Sequence, residues 1–324
     1  MIAKSVGATV LGLLCASCVL GPDPKLARSV ADGVYCANRD PVDLPVGRRS
    51  TEQPDLPAQA AVAQGYTPRS LDIARAIGAL AQVERLADAV ARHAPEVEIA
   101  ALRGEVNDTI TVASLDMAST TSHLACEEGR AAQVATDLRS AEQTQTRRLT
   151  AWSLLLGATA TVIGGVLAVA DKDPVPAGVV GITGGVVGGA FGFATLSVHR
   201  ATRFLHVRNI LGEVWRGDAH PSFPEIVWAY LTRPQFSRTG DRTIRDYLVS
   251  SWQRSELEGD DGRIALYFGE GGTYDVAGLD DRADMLSDVR EVVSLMNHGL
   301  QHLATEVARH RTTDLPAQSG GALP

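Results

Sequence analysis

Three histidines and a glutamate follow one another at four-residue intervals near the end of the chain. They are His298, His302, Glu306 and His310. A helix would place them in one stripe, and zinc sites use such spacing. Zinc proteases, however, have a glutamate directly after the first histidine, and a glycine stands there instead. The stripe also lies largely away from the apolar residues of the same segment, so we predict that most of it is solvated and holds no metal.

Two further segments carry residues of the types found in phosphate and calcium sites. Residues 269–273 are glycine-rich, but they lack the Lys-Ser/Thr ending of a phosphate loop, and Glu270 would repel an anion. We therefore predict a turn. Asp280, Asp281 and Asp284 lack calcium-loop spacing and are expected at the start of a helix. No serine lies in a GxSxG pattern, so we predict no catalytic residue, no cofactor and no enzymatic activity.

Two of the four cysteines lie in an N-terminal segment laid out like an export signal. Lys4 precedes an apolar core that is shorter than a typical transmembrane helix. The sequence Cys15-Ala16-Ser17-Cys18 then resembles a bacterial lipobox, in which small residues precede a cysteine that is acylated. The resemblance implies a signal peptide over 1–17 and lipidation of Cys18, although Cys15 stands where leucine is usual. An ordinary cleaved signal and a retained anchor are the alternatives.

The other two cysteines, Cys36 and Cys126, would then lie in an oxidising compartment. We expect them to form a disulfide. Closing so long a loop would stabilise the fold by about 4–5 kcal/mol in the chain-entropy model. Two unpaired, buried thiols are the alternative.

The middle of the chain contains two long runs without a charged residue. The first extends from Trp152 to Ala170 and the second from Ala177 to Val198, with a charged, proline-containing turn between them. As a helix the first run would span about 28 Å, close to the thickness of a bilayer's hydrocarbon core. We predict a transmembrane helical hairpin over 151–199. A buried hairpin in a soluble bundle is the alternative.

Glycines recur in both runs at spacings that suit close helix packing. They are Gly157 and Gly165 in the first run, and Gly181, Gly184, Gly185, Gly188, Gly189 and Gly192 in the second. In lipid, small residues hold helices together because they let the backbones approach. The stretch resembles the glycine-zipper hairpins of bacterial envelope proteins. The zipper could face the first helix, other copies of the chain, or both.

Apolar periodicity predicts an all-α fold in which long, coiled-coil-like helices flank the hairpin. Prolines are frequent between 39 and 68, so we predict an extended, lipid-anchored tether over 18–69. The long helical segment is expected over 70–150. Its first helix runs from Ser70 and ends before Pro95.

The next helix is expected to begin after Pro95 and to continue into the first membrane run. No proline lies between 95 and 174, and only Gly129 weakens the pattern. Its predicted apolar stripe comprises Ile99, Leu102, Val106, Ile110, Ala113, Met117, Thr120 and Leu124, extended by Val134 and Leu138 and, as an optional last member, Leu149.

A helical region is predicted over 200–311, followed by a disordered tail over 312–324. Its expected elements are a helix through Phe204 and Val214, helices at Glu225–Arg233 and Asp241–Leu257, a short strand at Ile264–Phe268, and a long helix from Asp280 to Arg309. The long helix has an apolar seam formed by Leu286, Val289, Val293, Met296, Leu300, Leu303 and Val307.

The net charge of −8 leaves no basic stripe for nucleic acid. The expected partners are membrane lipid, other copies of the chain and an envelope protein. We predict a non-enzymatic, membrane-anchored envelope lipoprotein whose soluble part lies outside the cytoplasm and which has a structural or interaction role. The alternative is an α-helical pore-forming protein, because the layout of 70–215 resembles that of helical pore-forming toxins; residues 216–275 depart from it.

Arg147 and Arg148 flank the predicted hairpin at its start, and His199, Arg200 and Arg203 flank it at its end. Export would place these basic residues outside the cytoplasm, against the positive-inside tendency. Three explanations stay open. The orientation rule is overridden, the N-terminal signal is misread, or the hairpin enters a membrane from the periplasmic or outer side.

Overall fold

The computed structural model describes residue 36 and residues 58–170, 199–206, 208–217, 222–257 and 259–309, with side chains except at 153–170 and 256. Over these residues the fold is all-α apart from one two-stranded sheet. The predicted signal peptide, Cys18 and most of the tether lie outside the described residues, as do 171–198 of the hairpin and the tail at 312–324.

Helices and two short strands make up the described part of the chain. In order they are α1 (Gln59–Ala63), α2 (Pro68–Ala76), α3 (Leu80–Ala91), α4 (Glu96–Ala170), β1 (Thr202–Leu205), α5 (Ile210–Arg216), α6 (Glu225–Thr232), α7 (Ile244–Trp252), α8 (Asp261–Phe268), β2 (Gly271–Tyr274) and α9 (Val276–Arg309). A 3-10 turn at Pro234–Phe236 follows α6, and a π-helical segment at Gln253–Leu257 follows α7.

The end of the predicted tether is helical rather than extended. Helix α1 and the start of α2 lie within it, because the stretch between Pro57 and Pro68 contains no proline and has room for helical turns. Thr67 then caps α2, since its hydroxyl oxygen accepts a hydrogen bond from the Ser70 amide at 3.3 Å.

The first predicted helix is in fact two helices. Gly78 adopts a left-handed conformation, with φ of 70°, and separates α2 from α3. The expected end before Pro95 is confirmed, because α3 stops at Ala91.

Helix α4 is a single element of 75 residues. It passes through Gly129 without a break; that glycine is exposed, and a methyl group added there would meet no described atom within 4 Å. The predicted stripe is buried at Ile99, Val106, Ile110, Ala113, Met117, Thr120, Leu124, Val134 and Leu138. Leu102 and Leu149 are half-buried. The periodicity prediction for this helix is confirmed.

The long C-terminal helix is also confirmed, and all seven seam residues from Leu286 to Val307 are buried. It begins at Val276, earlier than predicted. Asp275 caps it, with its Oδ1 accepting a hydrogen bond from the Gly278 amide at 2.8 Å. The aspartates at 280, 281 and 284 therefore lie inside the helix and not at its start.

Two element assignments in the C-terminal region were wrong. The segment predicted as a helix through Phe204 is strand β1, in which Phe204 is the buried residue, followed by the short helix α5. The predicted strand at Ile264–Phe268 is helix α8. Asp260 caps α8, because its Oδ1 accepts hydrogen bonds from the amides of Gly262 and Arg263.

None of the helices is long and apolar enough to cross a membrane over the part of the chain that the structure describes. Of the predicted packing glycines, Gly157 and Gly165 lie in the helical backbone of α4. Gly181, Gly184, Gly185, Gly188, Gly189 and Gly192 lie outside the described residues.

The chain divides into two compact units. One comprises Val34–Gly129, His206–Gly271 and Asp281–Pro324, and we call it the helical body. The other comprises Met1–Gly33, Arg130–Leu205 and Gly272–Asp280. We call it the hairpin unit because it includes the predicted hairpin.

Aromatic rings form part of the core of the helical body. Trp215 stacks on Phe268 with ring centroids 4.3 Å apart, and Trp252 lies over the same phenylalanine at 6.0 Å. The Trp252 indole N–H donates a hydrogen bond to Asp288 at 3.0 Å, which satisfies its polar atom. These contacts join α5, α7, α8 and α9.

Candidate functional site

The predicted histidine and glutamate stripe is split between solvent and core. His298 and His302 are exposed, and His310 lies outside the described residues. Glu306 is only 3% exposed, so the prediction that most of the stripe is solvated holds for the two described histidines and not for Glu306. Its Oε2 accepts a hydrogen bond from the Thr67 amide at 3.2 Å, which draws the carboxylate inward. Within the described ranges, no group of three or more His, Cys, Asp or Glu side chains could hold a metal.

The buried Glu306 carboxylate changes the electrostatics of its surroundings. Burial raises the pKa of the neighbouring Tyr66 phenol, and the Glu306 carboxylate raises that pKa further. Arg103 opposes both effects. The Nδ1 of His302 lies 3.5 Å from Oε1 of Glu306. These contacts join the end of α9 to the start of α2, and the arrangement is that of a structural link in the helical body.

Residues 269–273 use their backbone within the fold. The Gly269 carbonyl accepts a hydrogen bond from the side-chain amide of Asn209 at 2.6 Å. The Glu270 carbonyl accepts one from the backbone amide of His206 at 3.0 Å. From Gly271 onward the segment forms β2, so only its first residues make the predicted turn.

Cys36 and Cys126 are joined by a disulfide, with their Cα atoms 5.8 Å apart. Both residues belong to the helical body, and Cys36 is 1% exposed. The bond ties the N-terminal segment to the middle of α4 across a sequence separation of 90.

The two ends of the predicted hairpin meet within the hairpin unit. The Arg200 backbone amide donates a hydrogen bond to Glu142 Oε1 at 2.7 Å. The Arg200 guanidinium donates two more to Gln145 Oε1, from Nε at 3.1 Å and from Nη2 at 2.9 Å. We call these contacts the Arg200 clamp. They fasten the residues that follow the second apolar run to α4, shortly before the first run begins.

A second arginine anchors strand β1 to α4. Arg130 is 8% exposed, and its Nη1 and Nη2 donate hydrogen bonds to the Leu205 carbonyl at 3.3 and 3.2 Å. Its guanidinium lies 4.1 Å from the centroid of the Phe204 ring, a cation–π contact. The same ring meets Tyr274 of β2 edge-on at 5.7 Å. Arg130 therefore holds the small sheet through both backbone and ring.

A third arginine, Arg139, forms an ion pair with Asp280. This contact gives Asp280 a role that its sequence position did not indicate. Arg130, Arg139 and the Arg200 clamp together form what we call the hairpin base, with three arginine side chains acting on α4, β1 and the start of α9.

The sequence marked Arg200 only as a flanking charge and did not identify Arg130, Glu142 or Gln145. A hairpin requires its ends to be adjacent, and that requirement alone could have directed attention to Glu142 and Gln145. The arrangement can hold a hairpin closed at its ends, and among its described residues it contains no paired nucleophile and base. No protein-family model, no curated protein and no solved structure matches this chain.

Proposed function

We propose that this protein is a non-enzymatic lipoprotein of a bacterial envelope, held at a membrane by an acylated Cys18 and by a transmembrane hairpin over 151–199. Its role is structural or one of interaction, and its soluble helices lie outside the cytoplasm. The Arg200 clamp is the observation that carries the proposal. It places Arg200 beside Glu142 and Gln145, and nearly all the residues between these positions in the sequence are uncharged.

The lengths available are compatible with such a hairpin. From Gln145 to Ala170, α4 extends about 38 Å at helical rise. A return helix over 177–198 would extend about 33 Å, and the remaining residues could supply the turn. Neither arm would have to be stretched for Arg200 to return to Gln145.

The disulfide supports placing the body in an oxidising compartment. Disulfides persist in secreted and periplasmic proteins and are rare in the reducing cytosol. The Cys36–Cys126 bond therefore fits a chain that is exported by an N-terminal signal.

Fractionation of envelopes with alkaline carbonate tests the membrane anchor. Full-length protein should stay with the membranes, and so should the Cys18→Ser variant, because the hairpin remains. Mass spectrometry of the mature N-terminus should find an acyl group on Cys18 in the wild type and in the matched Cys15→Ser variant. Release of the wild-type protein by carbonate would contradict the proposal. An unmodified Cys18 would show that the protein is not lipidated there and would leave the hairpin as its anchor.

Self-association is expected to use the glycines of the second run. Gly185→Leu with Gly188→Leu should abolish detergent-stable oligomers, because added side chains separate the helix backbones. Val186→Leu with Val187→Leu places leucines between these glycines without altering them and provides the control. A wild-type protein that is monomeric in detergent would contradict this part of the proposal.

The unbroken course of α4 favours a second candidate, a helical pore-forming protein. In such proteins long helices carry a hairpin that inserts into a target membrane on oligomerisation. Purified, signal-free protein would then release dye from liposomes. A protein that never leaves the membrane or detergent phase would exclude this candidate.

A further inference from the structure

The arginines of the hairpin unit fall into two groups. Arg130, Arg139 and Arg200 bond to other residues of the unit. Arg147 and Arg148, which lie closest to the first apolar run, are exposed. Neither makes a hydrogen bond or an ion pair with any described residue of the chain. The structure thus separates arginines that hold the hairpin base from exposed ones next to the first apolar run, and Arg203 in β1 is a further exposed arginine of the unit.

The exposed pair points away from the returning chain. Glu142, Gln145 and Leu149 recur at steps of three and four and are half-buried, which marks the side of α4 that faces the Arg200 clamp. Arg147 and Arg148 lie outside that stripe. Trp152 is four residues beyond Arg148 and three beyond Leu149, so it lies between Arg148 and the edge of that stripe, and it is 59% exposed.

Distributed around the helix at one level, these exposed side chains combine the two chemistries found at the boundary of a bilayer. A guanidinium forms bidentate hydrogen bonds with phosphate oxygens. An indole has an apolar body and a polar N–H, and it favours the level of the lipid headgroups. The acidic residue nearest to the pair along α4 is Glu142, whose carboxylate already accepts the Arg200 amide.

We propose that Arg147, Arg148 and Trp152 form a collar that binds the headgroups of anionic phospholipids. The proposal rests on the hairpin of the proposed function, which would set the collar at headgroup depth. Charge complementarity favours an anionic headgroup. The chain as a whole carries a net charge of −8 and would be repelled by an anionic membrane, so a local cationic surface has to offset that repulsion.

Fluorescence quenching by brominated lipids tests the collar. The full-length protein is reconstituted into vesicles that contain either dibrominated phosphatidylglycerol or dibrominated phosphatidylcholine. The component of tryptophan emission that is lost in Trp152→Phe reports on the collar. We expect phosphatidylglycerol to bind at Trp152 more tightly than phosphatidylcholine by roughly thirty-fold at low salt, or roughly five-fold for each arginine. The preference should shrink as salt is raised, since screening shortens the reach of the charges.

The variant Arg147→Gln/Arg148→Gln should bind both lipids equally while keeping the quenching by phosphatidylcholine. Arg238→Gln/Arg254→Gln removes the same charge from two exposed arginines of the helical body and should keep the full preference. Equal quenching by the two lipids in the wild type would overturn the collar and leave the hairpin standing. Absence of Trp152 quenching by either lipid would instead contradict the proposed function.

Discussion

The helical body and the hairpin unit are stabilised by different kinds of contact. The body buries apolar side chains from many elements. Its fully buried residues include Leu80, Leu86, Met117, Leu124, Leu211, Leu231 and Trp252. The hairpin unit has a smaller set among its described residues, namely Ala131, Val134, Ala135, Leu138, Phe204, Tyr274 and Leu279. Directional contacts from three arginines accompany it.

Polar groups inside the core of the helical body have hydrogen-bond partners there. The fully buried Arg282 donates a hydrogen bond to the Tyr267 carbonyl at 3.1 Å, and Arg216 donates one to the Phe268 carbonyl at the same distance. These are the last carbonyls of α8, which lack partners within the helix. Arg245 similarly donates to the carbonyls of Val214 and Trp215 at the end of α5.

The difference follows from where the apolar residues lie in the sequence. In the body they recur at helical spacing and pack among several helices. In the hairpin unit they are concentrated in the two uncharged runs. Outside those runs, hydrogen bonds and ion pairs, which single substitutions remove, therefore supplement a smaller set of buried apolar residues at its base. We expect the body to respond mainly to changes in covalent linkage and volume, and the hairpin base to loss of charge.

The largest effect is expected from breaking the disulfide of the body. Cys36→Ser with Cys126→Ser should lower the free energy of unfolding by about 4–5 kcal/mol, because the unfolded chain regains the freedom of a long loop. Urea unfolding followed by circular dichroism measures the change. The wild-type protein under a reductant should match the variant. Equal midpoints for variant and oxidised wild type would contradict the prediction.

Next in size is the removal of the buried arginine of the hairpin base. Arg130→Met should destabilise the contact between α4 and β1 by about 2–3 kcal/mol, because it deletes a charged hydrogen-bond donor and a cation–π contact. Hydrogen exchange at the amides of 202–205 should accelerate correspondingly. Arg147→Met, which changes an exposed arginine of the same helix, should leave those amides unchanged. If both variants behave alike, the hairpin base does not depend on Arg130.

A smaller effect is expected from added volume in the body. A methyl group on Gly212 would lie 2.5 Å from the Phe268 carbonyl oxygen, so Gly212→Ala must push α5 away from α8. The expected loss is about 1–2 kcal/mol in urea unfolding. Gly104→Ala is the control, since it meets nothing within 4 Å. That control should stabilise by up to about 1 kcal/mol through helix propensity. Equal midpoints for the two variants would show that α5 and α8 accommodate the methyl group without cost.

The long helices could be predicted from the sequence because their apolar residues repeat without interruption. The stripes of α4 and α9 depend on burial along a single helix, which local spacing encodes. The same approach failed at β1 and α8. In a four-residue strand or an eight-residue helix, too few apolar residues repeat for their spacing to distinguish the two structures. Strand β1 forms only because β2 pairs with it. Capping by Asp260 was the local signal for α8 that the periodicity obscured.

The hairpin base could be predicted only in outline. Its charged residues are visible in the sequence, but Arg130 and Leu205 lie on opposite sides of the predicted hairpin in the sequence. Nothing local distinguishes Arg130, which is buried, from Arg147, which is exposed. The sequence did not indicate the burial of Glu306 for a related reason, since its partner is the Thr67 amide, far away in the sequence.

The smallest expected effect is a pH dependence in the body. Burial lowers the pKa of His123 below its ordinary value of 6.5; Glu127 and Glu213 oppose the shift, and Arg208 reinforces it. The unfolded chain therefore binds the proton more readily. Stability should be full above about pH 6.5 and fall as the pH drops through the depressed pKa. His123→Gln should flatten urea midpoints between about pH 5 and pH 8, whereas the exposed His298→Gln should retain the wild-type slope. An equal slope in His123→Gln would assign the dependence to other groups.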